Sequence, residues 1–191
     1  MRCTLAVTGN PAADELLNSN PLALLLGMLL DQQVPMEWAF VAPYTLEQRL
    51  GHLDLSRIVA AGPEALTSAF RAKPALHRYP ASMATRAYAL CQHLVDEYGA
   101  QPASVWQGAN TGDELYRRLR ALPGFGDEKA KIFLAVLAKR CGITPPGWAE
   151  RALPFSDSTP RSVADIDGPE ALERVRAWKK QQKAQGKGKQ D

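Results

Sequence analysis

Cysteine is scarce in this chain, with three among 191 residues, at positions 3, 91 and 141. An odd number at such wide spacing offers no disulfide framework, and with no CxxC or Cys/His cluster there is no four-ligand zinc or iron–sulfur site. Thiols of this kind point to a reducing compartment. Long apolar runs are missing too: the longest, Pro21 to Leu30, is about half of the roughly 20 residues that span a bilayer. The N-terminus MRCTLAVTGNPAADELL lacks the basic-then-apolar order of a signal peptide. The expectation is a soluble, cytoplasmic protein without a membrane partner. No alternating run of β-branched residues argues for a sheet. No GxxxxGK[ST] loop, Ser/His/Asp triad or metal-binding His pair is present, so nucleotide-phosphate cradling and the familiar hydrolase and zinc chemistries have no carrier.

Charge of one sign is lacking only in total. The net charge of +3 hides a block of seven Lys/Arg against two acids over 117–140, and another of seven against three over 170–191, leaving the rest at −6. Basic blocks on an acidic body suit a polyanion such as nucleic acid, and equally suit a solvated helix face with a solubilising tail.

The hydrophobic period is helical nearly throughout, which predicts an all-α fold of many short helices. Asn20-Pro21 reads as a cap with proline in the first helical position. Further segments begin at Pro35 and at Pro43, the latter stopping at Gly51. Short helices follow over 55–61 and 63–71, separated by Gly62. The longest runs from Pro80 to Tyr98 and stops at Gly99. Amphipathic helices cover 112–121 and 127–140, with Leu115, Leu119 and Leu122 on one stripe. A last helix covers 169–185. The proline-rich stretch 142–167 reads as an irregular crossing segment, with Asp165 and Asp167 as caps before the last helix.

The most informative segment is LRALPGFGDEKAKIFLAVLAKR. Two helices are joined by Leu122, Pro123, Gly124, Phe125 and Gly126, where proline stops the first and the glycines permit positive φ. Asp127 can cap the second, leaving outward amides at a positive helix start, with Lys129 and Lys131 adjacent; this is a ready phosphate site.

LPGFGDEKA resembles the helix-hairpin-helix element of the HhH-GPD DNA glycosylase superfamily. Upstream, LLLGMLLDQQVPMEWAF resembles that family's early helix, which ends in polar residues. The resemblance implies a bilobal fold. It would have a six-helix barrel lobe over 20–141 containing the hairpin (112–140), a second helical lobe from 1–19 plus 142–185, and a flexible basic tail over 186–191. It implies a monomer that binds double-stranded DNA in the cytoplasm, associated with the nucleoid. Leu122, Pro123, Gly124, Phe125 and Gly126 would grip the DNA backbone, with Lys129 and Lys131 on phosphates and a monovalent cation on the hairpin carbonyls. Gln32 or Gln33 would fill the gap left by an extruded nucleotide, the alternative being that they merely end their helix. The activity implied is base-excision repair, hydrolysing an N-glycosidic bond in damaged or mismatched DNA.

The chain departs from the family in its chemistry. The position of the nucleophilic lysine holds Glu128, which implies a monofunctional hydrolase without lyase activity. About 20 residues beyond Gly126, where the family carries an aspartate, stand Pro145, Pro146, Gly147 and Trp148. The cluster cysteines are absent, so no iron–sulfur group or other resident cofactor is expected. Glu128, Asp31 and Glu150 are the carboxylates that could replace the aspartate, each with an ordinary surface or helix-end role as the alternative. If none does, the chain is a non-catalytic, lesion-sensing DNA-binding module. A scaffold for protein partners is the third reading. Trp38, Trp106, Trp148 and Trp178, and Tyr79 beside His77 and Arg78, are the aromatics that could stack on a base or simply pack in the core.

Overall fold

Two Asn-Pro pairs start the chain's first two helices by the same chemistry. The side chains of Asn10 and Asn20 each accept from the next amides, those of Ala12 and Ala13 and of Leu22 and Ala23, and a proline stands at each helix start. In the computed structural model, which describes residues 2–188 and 190, these helices are α1 (Pro11–Ser19) and α2 (Pro21–Leu30). There follow α3 (Met36–Leu50), α4 (Leu55–Arg71), α5 (Pro80–Tyr98), α6 (Gly112–Ala121), α7 (Asp127–Cys141), α8 (Trp148–Arg151) and α9 (Pro169–Ala184). Single turns of 3-10 helix lie at Pro102–Val105 and Val163–Asp165. Among the described residues there is no strand, and the chain is all-α. Of the basic tail expected over 186–191, Lys189 and Asp191 lie outside the described residues.

The core is built around two helices that are apolar on nearly every side. From Leu22 to Leu30 every residue of α2 is buried, and so is every residue of α7 from Ile132 to Ala138. Helices of that pattern belong inside a protein. Helices α1 and α3 cover α2, and α6, α8 and the Val163–Asp165 turn cover α7. The end of α2 and the start of α7 meet directly. Lys129 of α7 donates to the Leu29 carbonyl of α2 at 2.7 Å.

Three sequence expectations are corrected. Pro43 does not begin a helix but sits buried inside α3. The bond it forfeits, to the Ala39 carbonyl, is outweighed by the buried face of Met36, Ala39, Phe40, Ala42 and Leu46. Helix α1 and the turn at Pro102–Val105 went unread, although Asn10-Pro11 repeats the signal at Asn20-Pro21. Lastly, Cys3 and Cys141 form a disulfide across 138 residues of sequence. Spacing could not show this, because the pairing depends on tertiary adjacency. The Cys3 amide donates to Asn18 O, and the Thr4 amide to Arg140 O at 3.0 Å, which lays the N-terminal segment against the end of α7. With Cys3 and Cys141 joined, cysteine usage no longer points to a reducing compartment.

Candidate nucleic-acid interface

Helix α6 starts at Thr111, whose hydroxyl accepts from the Glu114 amide, and buries Leu115, Tyr116 and Leu119. The chain then turns through Leu122, Pro123, Gly124, Phe125 and Gly126. The turn closes with the Phe125 amide donating to Leu122 O at 3.0 Å. The side chains of Leu122 and Phe125 are buried, the Phe125 ring meeting Phe133 edge-on at 5.9 Å. These two pegs push the remaining backbone outward, so that Gly124, Gly126 and Asp127 are exposed. Gly124 has φ of 83°, and a Cβ there would stand 2.4 Å from Leu29 Cδ1, so backbone conformation and packing both call for glycine. No side chain caps α7, whose N-cap is Gly126. Its first turn therefore presents amides and the positive end of the helix dipole at the surface.

Asp127 is thus the first residue of α7 rather than its cap. It braces the hairpin instead: Tyr116 Oη donates to Asp127 Oδ1 at 2.5 Å, and Lys131 Nζ lies 3.1 Å from Oδ2. The Tyr116 hydrogen bond is the main reason the Asp127 carboxyl is held below its ordinary range, and the same bond raises the phenol.

The basic block over 117–140 is also reassigned. Lys129 turns inward to Leu29 O and lies over the Phe125 ring at 5.9 Å. Lys131 pairs with Asp127, Arg117 with Asp113, and Arg118 with Glu114 at 2.6 Å. Lys139 pairs with Asp165 at 2.7 Å and Arg140 with Asp167 at 2.9 Å. Arg120 donates to the Phe125 carbonyl at 3.4 Å. Every cation of the block thus has a partner within the chain. Asp165 and Asp167 hold the end of α7 rather than capping α9, whose N-cap is Gly168. The carbonyls of Leu122 and Phe125 already accept from the Phe125 amide and from Arg120. Each of these oxygens keeps a second lone pair, and the Arg120 guanidinium is the charge that a monovalent cation would meet there.

Beyond α2 the two glutamines separate. Gln32 is clamped: its carbonyl takes His77 Nε2 at 3.0 Å, its side chain donates to Met83 Sδ at 2.9 Å, and its Oε1 accepts from Arg86 at 3.3 Å. Gln33 is exposed and held at φ of 56°, in the left-handed region, at the tip of the loop. His77 is the hidden strut of this arrangement. At 1% exposure, it accepts the Tyr79 amide on Nδ1 at 3.1 Å. The proton must then sit on Nε2, where it is donated to Gln32 O. Burial pushes the His77 pKa down, in keeping with a neutral ring.

His77 lies between Trp38 and Tyr79, with ring centroids 6.4 and 6.2 Å away, and Arg78 lies over the Tyr79 ring at 5.5 Å. Trp38 and Tyr79, 38% and 46% exposed, are the open aromatics among the described residues. Trp106 is buried against Phe133, Trp148 is half-buried on α8, and Trp178 is half-buried beneath Arg161.

The Gln33 loop forms a ridge between two open cavities. One, of about 210 Å³, is lined by Gln32, Gln33, His77, Tyr79, Ser82, Met83 and Arg86. The other, of about 640 Å³, runs from Asp31 to Glu37 and is walled on its far side by Arg176, Lys179 and Lys183 of α9. Asp31, the C-cap of α2, is the one of the three candidate carboxylates that faces either cavity. Glu128 accepts from Gln190 at 3.4 Å, and Glu150 is exposed on α8 over a separate hollow with Ser156 and Asp157. The three are not gathered into one site.

Among the described residues there is no group of three or more His, Cys, Asp or Glu that could hold a metal, and no helix long and apolar enough to cross a membrane. Cys91 is buried and its pKa pushed up to about 12, which leaves an unreactive thiol. Comparison with family models, curated proteins and solved structures returned no match. Sequence reasoning missed His77 as a strut, Arg86 as a clamp, and the wall of α9. Only the last left a legible signal, since Arg176, Lys179 and Lys183 fall at i, i+3 and i+7.

Proposed function

We propose that this chain is a monomeric duplex-DNA-binding protein of the HhH-GPD glycosylase type, acting in base-excision repair. The hairpin turn takes a phosphate on the surface amides around Gly126. Gln33 enters the base stack as the wedge, with Gln32 fixing its root. The observation that carries this reading is the pairing of an uncapped, exposed helix start at Gly126 with an exposed Gln33 at φ of 56° on a ridge between two cavities. A ridge so flanked suits a residue that replaces an extruded nucleotide, whose removal from the stack costs a few kcal/mol. Trp38 and Tyr79 offer faces for unstacked bases.

In the catalytic form of the proposal, Asp31 is the working carboxylate. It lines the larger cavity beside Gln32 and Gln33. There it can stabilise the cationic sugar formed as the glycosidic bond breaks, or accept a proton from the attacking water. Glu128 supplies no amine for a Schiff base, so the product is an abasic site with an intact strand. No cofactor is called for in this scheme. Incubation with duplexes carrying uracil, alkylated or oxidised purines, or mismatches tests it. An abasic product from wild type, lost in Asp31→Asn with binding retained, is expected. Binding without product from any duplex would leave the second reading, a lesion-sensing module, which the scattering of the three carboxylates favours.

A further inference from the structure

The two cavities that flank Gln33 differ in both size and chemistry. Asp31 and Glu37 line the larger, of about 640 Å³. No carboxylate lines the smaller, of about 210 Å³. Its polar groups are the Arg86 guanidinium, the Ser82 hydroxyl and the side-chain amides of Gln32 and Gln33. The His77 ring closes it but has both nitrogens in use, toward the Tyr79 amide and Gln32 O. The smaller cavity falls below the roughly 300–1,000 Å³ of pockets that enclose a drug-sized ligand, so it suits a single heterocyclic base rather than a nucleotide.

Within that cavity Arg86 is held but not consumed. Met83 and Arg86 lie about one turn apart on α5, and Gln32 bridges them: its side-chain nitrogen donates to Met83 Sδ, and its Oε1 accepts from Arg86 Nη1 at 3.3 Å. That bond uses one of the five N–H donors of a guanidinium and keeps the fork in place. Arg86 is exposed and, among the described residues, makes no ion pair. A guanidinium fork matches the two acceptors, O6 and N7, that guanine presents side by side, and no carboxylate is there to accept from the amine of cytosine. The Tyr79 ring, 46% exposed, gives a base a face to stack on.

We infer that the smaller cavity receives the base left unpaired opposite the extruded nucleotide, and that Arg86 selects guanine there through O6 and N7. The inference rests on the duplex reading above and deepens it. Of the two cavities, the larger has room for a whole nucleotide beside Asp31, so the partner base falls to the other side of the ridge. A partner restricted to guanine defines the substrate class. The extruded nucleotide is one that stood opposite guanine: a damaged or deaminated cytosine, or a mispaired thymine. Gln32 is the positioning residue, since it holds the Arg86 fork.

The test uses the full chain and duplexes that carry a tetrahydrofuran abasic analogue opposite guanine, adenine, cytosine or thymine, so that the partner base alone varies. Dissociation constants are measured at one salt concentration for wild type and for Arg86→Ala. A further duplex places 7-deazaguanine, which lacks the N7 acceptor, opposite the analogue. The expected result is a wild-type preference for guanine of about tenfold or more, most of it lost with 7-deazaguanine, and an Arg86→Ala variant that binds all the partners alike. Arg86 is exposed, and the 7-deazaguanine duplex leaves the protein unaltered, so a folding defect cannot imitate this pattern. Three results would overturn the inference and leave the duplex reading standing: wild type that does not distinguish the partners, full affinity for 7-deazaguanine, or an Arg86→Ala variant weakened equally on all partners with the preference kept, as a lost phosphate contact would give. A wild type that binds no duplex would overturn both.

Discussion

The two basic regions of this protein look alike in sequence and behave differently in the fold. Over 117–140, seven cations each find a carboxylate or a carbonyl: Lys139 meets Asp165, Arg140 meets Asp167, and Lys129 caps the end of α2 at Leu29. On α9, the carboxylates are confined to the first turns and the later cations face an open cavity. A count of charges thus says little about which are available to a polyanion. At the hairpin the lysines and arginines are all engaged within the chain, whereas on α9 Arg176, Lys179 and Lys183 line an open cavity.

The comparison can be broken most forcefully at the end of α7. If the hairpin region is structural, opening the Cys3–Cys141 link should cost up to about 5 kcal/mol, the loop-closure estimate for a separation of 138 residues. Urea melts of Cys141→Ser, or of wild type with reductant, check this; an unchanged midpoint would show that the link carries no stability. Next in size, Lys129→Met should cost about 1.5–3 kcal/mol, because a charged donor to Leu29 O is lost inside the protein, with little change in the salt slope of DNA binding. Lys183→Gln should do the reverse, moving stability by less than about 0.5 kcal/mol. A Lys129 variant that melts like wild type but binds with a shallower salt slope would invert the contrast.

A smaller effect lies in pH. His77 is held neutral by burial, its pKa below the ordinary 6.5, so the unfolded chain takes up this proton first. Its contribution is complete above pH 6.5 and is lost as pH falls toward the lowered folded value. Asp127 and Asp167, held below 3.8, lose theirs only in stronger acid. Melts at pH 7.5 and about pH 5.5 should show a decline that His77→Gln abolishes; equal declines would remove His77 as the strut. Smallest of all, Arg117→Ala breaks an exposed pair with Asp113 and should shift stability by less than about 0.5 kcal/mol.

Local chemistry was legible in the sequence, and long-range partnership was not. The helix of Pro80–Tyr98, its stop at Gly99 and the break at Gly62 follow from proline, glycine and hydrophobic period, and the structure has them. So does the buried stripe of Leu115, Leu119 and Leu122. Pro43 was misread because a local rule met a buried helix face that outweighs one lost bond. Cys3 with Cys141, Lys129 with Leu29, and His77 with Gln32 are separated by dozens of residues, and no spacing rule brings them together. Gln32 and Gln33 looked equivalent as neighbours. They differ because α5 supplies Met83 and Arg86 to one and nothing to the other.

The most direct test of the account is backbone hydrogen exchange at Gly126 and Asp127, followed with and without a saturating mismatch-bearing duplex. Exposed amides at an uncapped helix start should exchange fast in the protein alone and slow at least tenfold when a phosphate occupies them. Unchanged rates at both residues in a protein shown to be fully bound would contradict the claim that this turn holds the DNA strand.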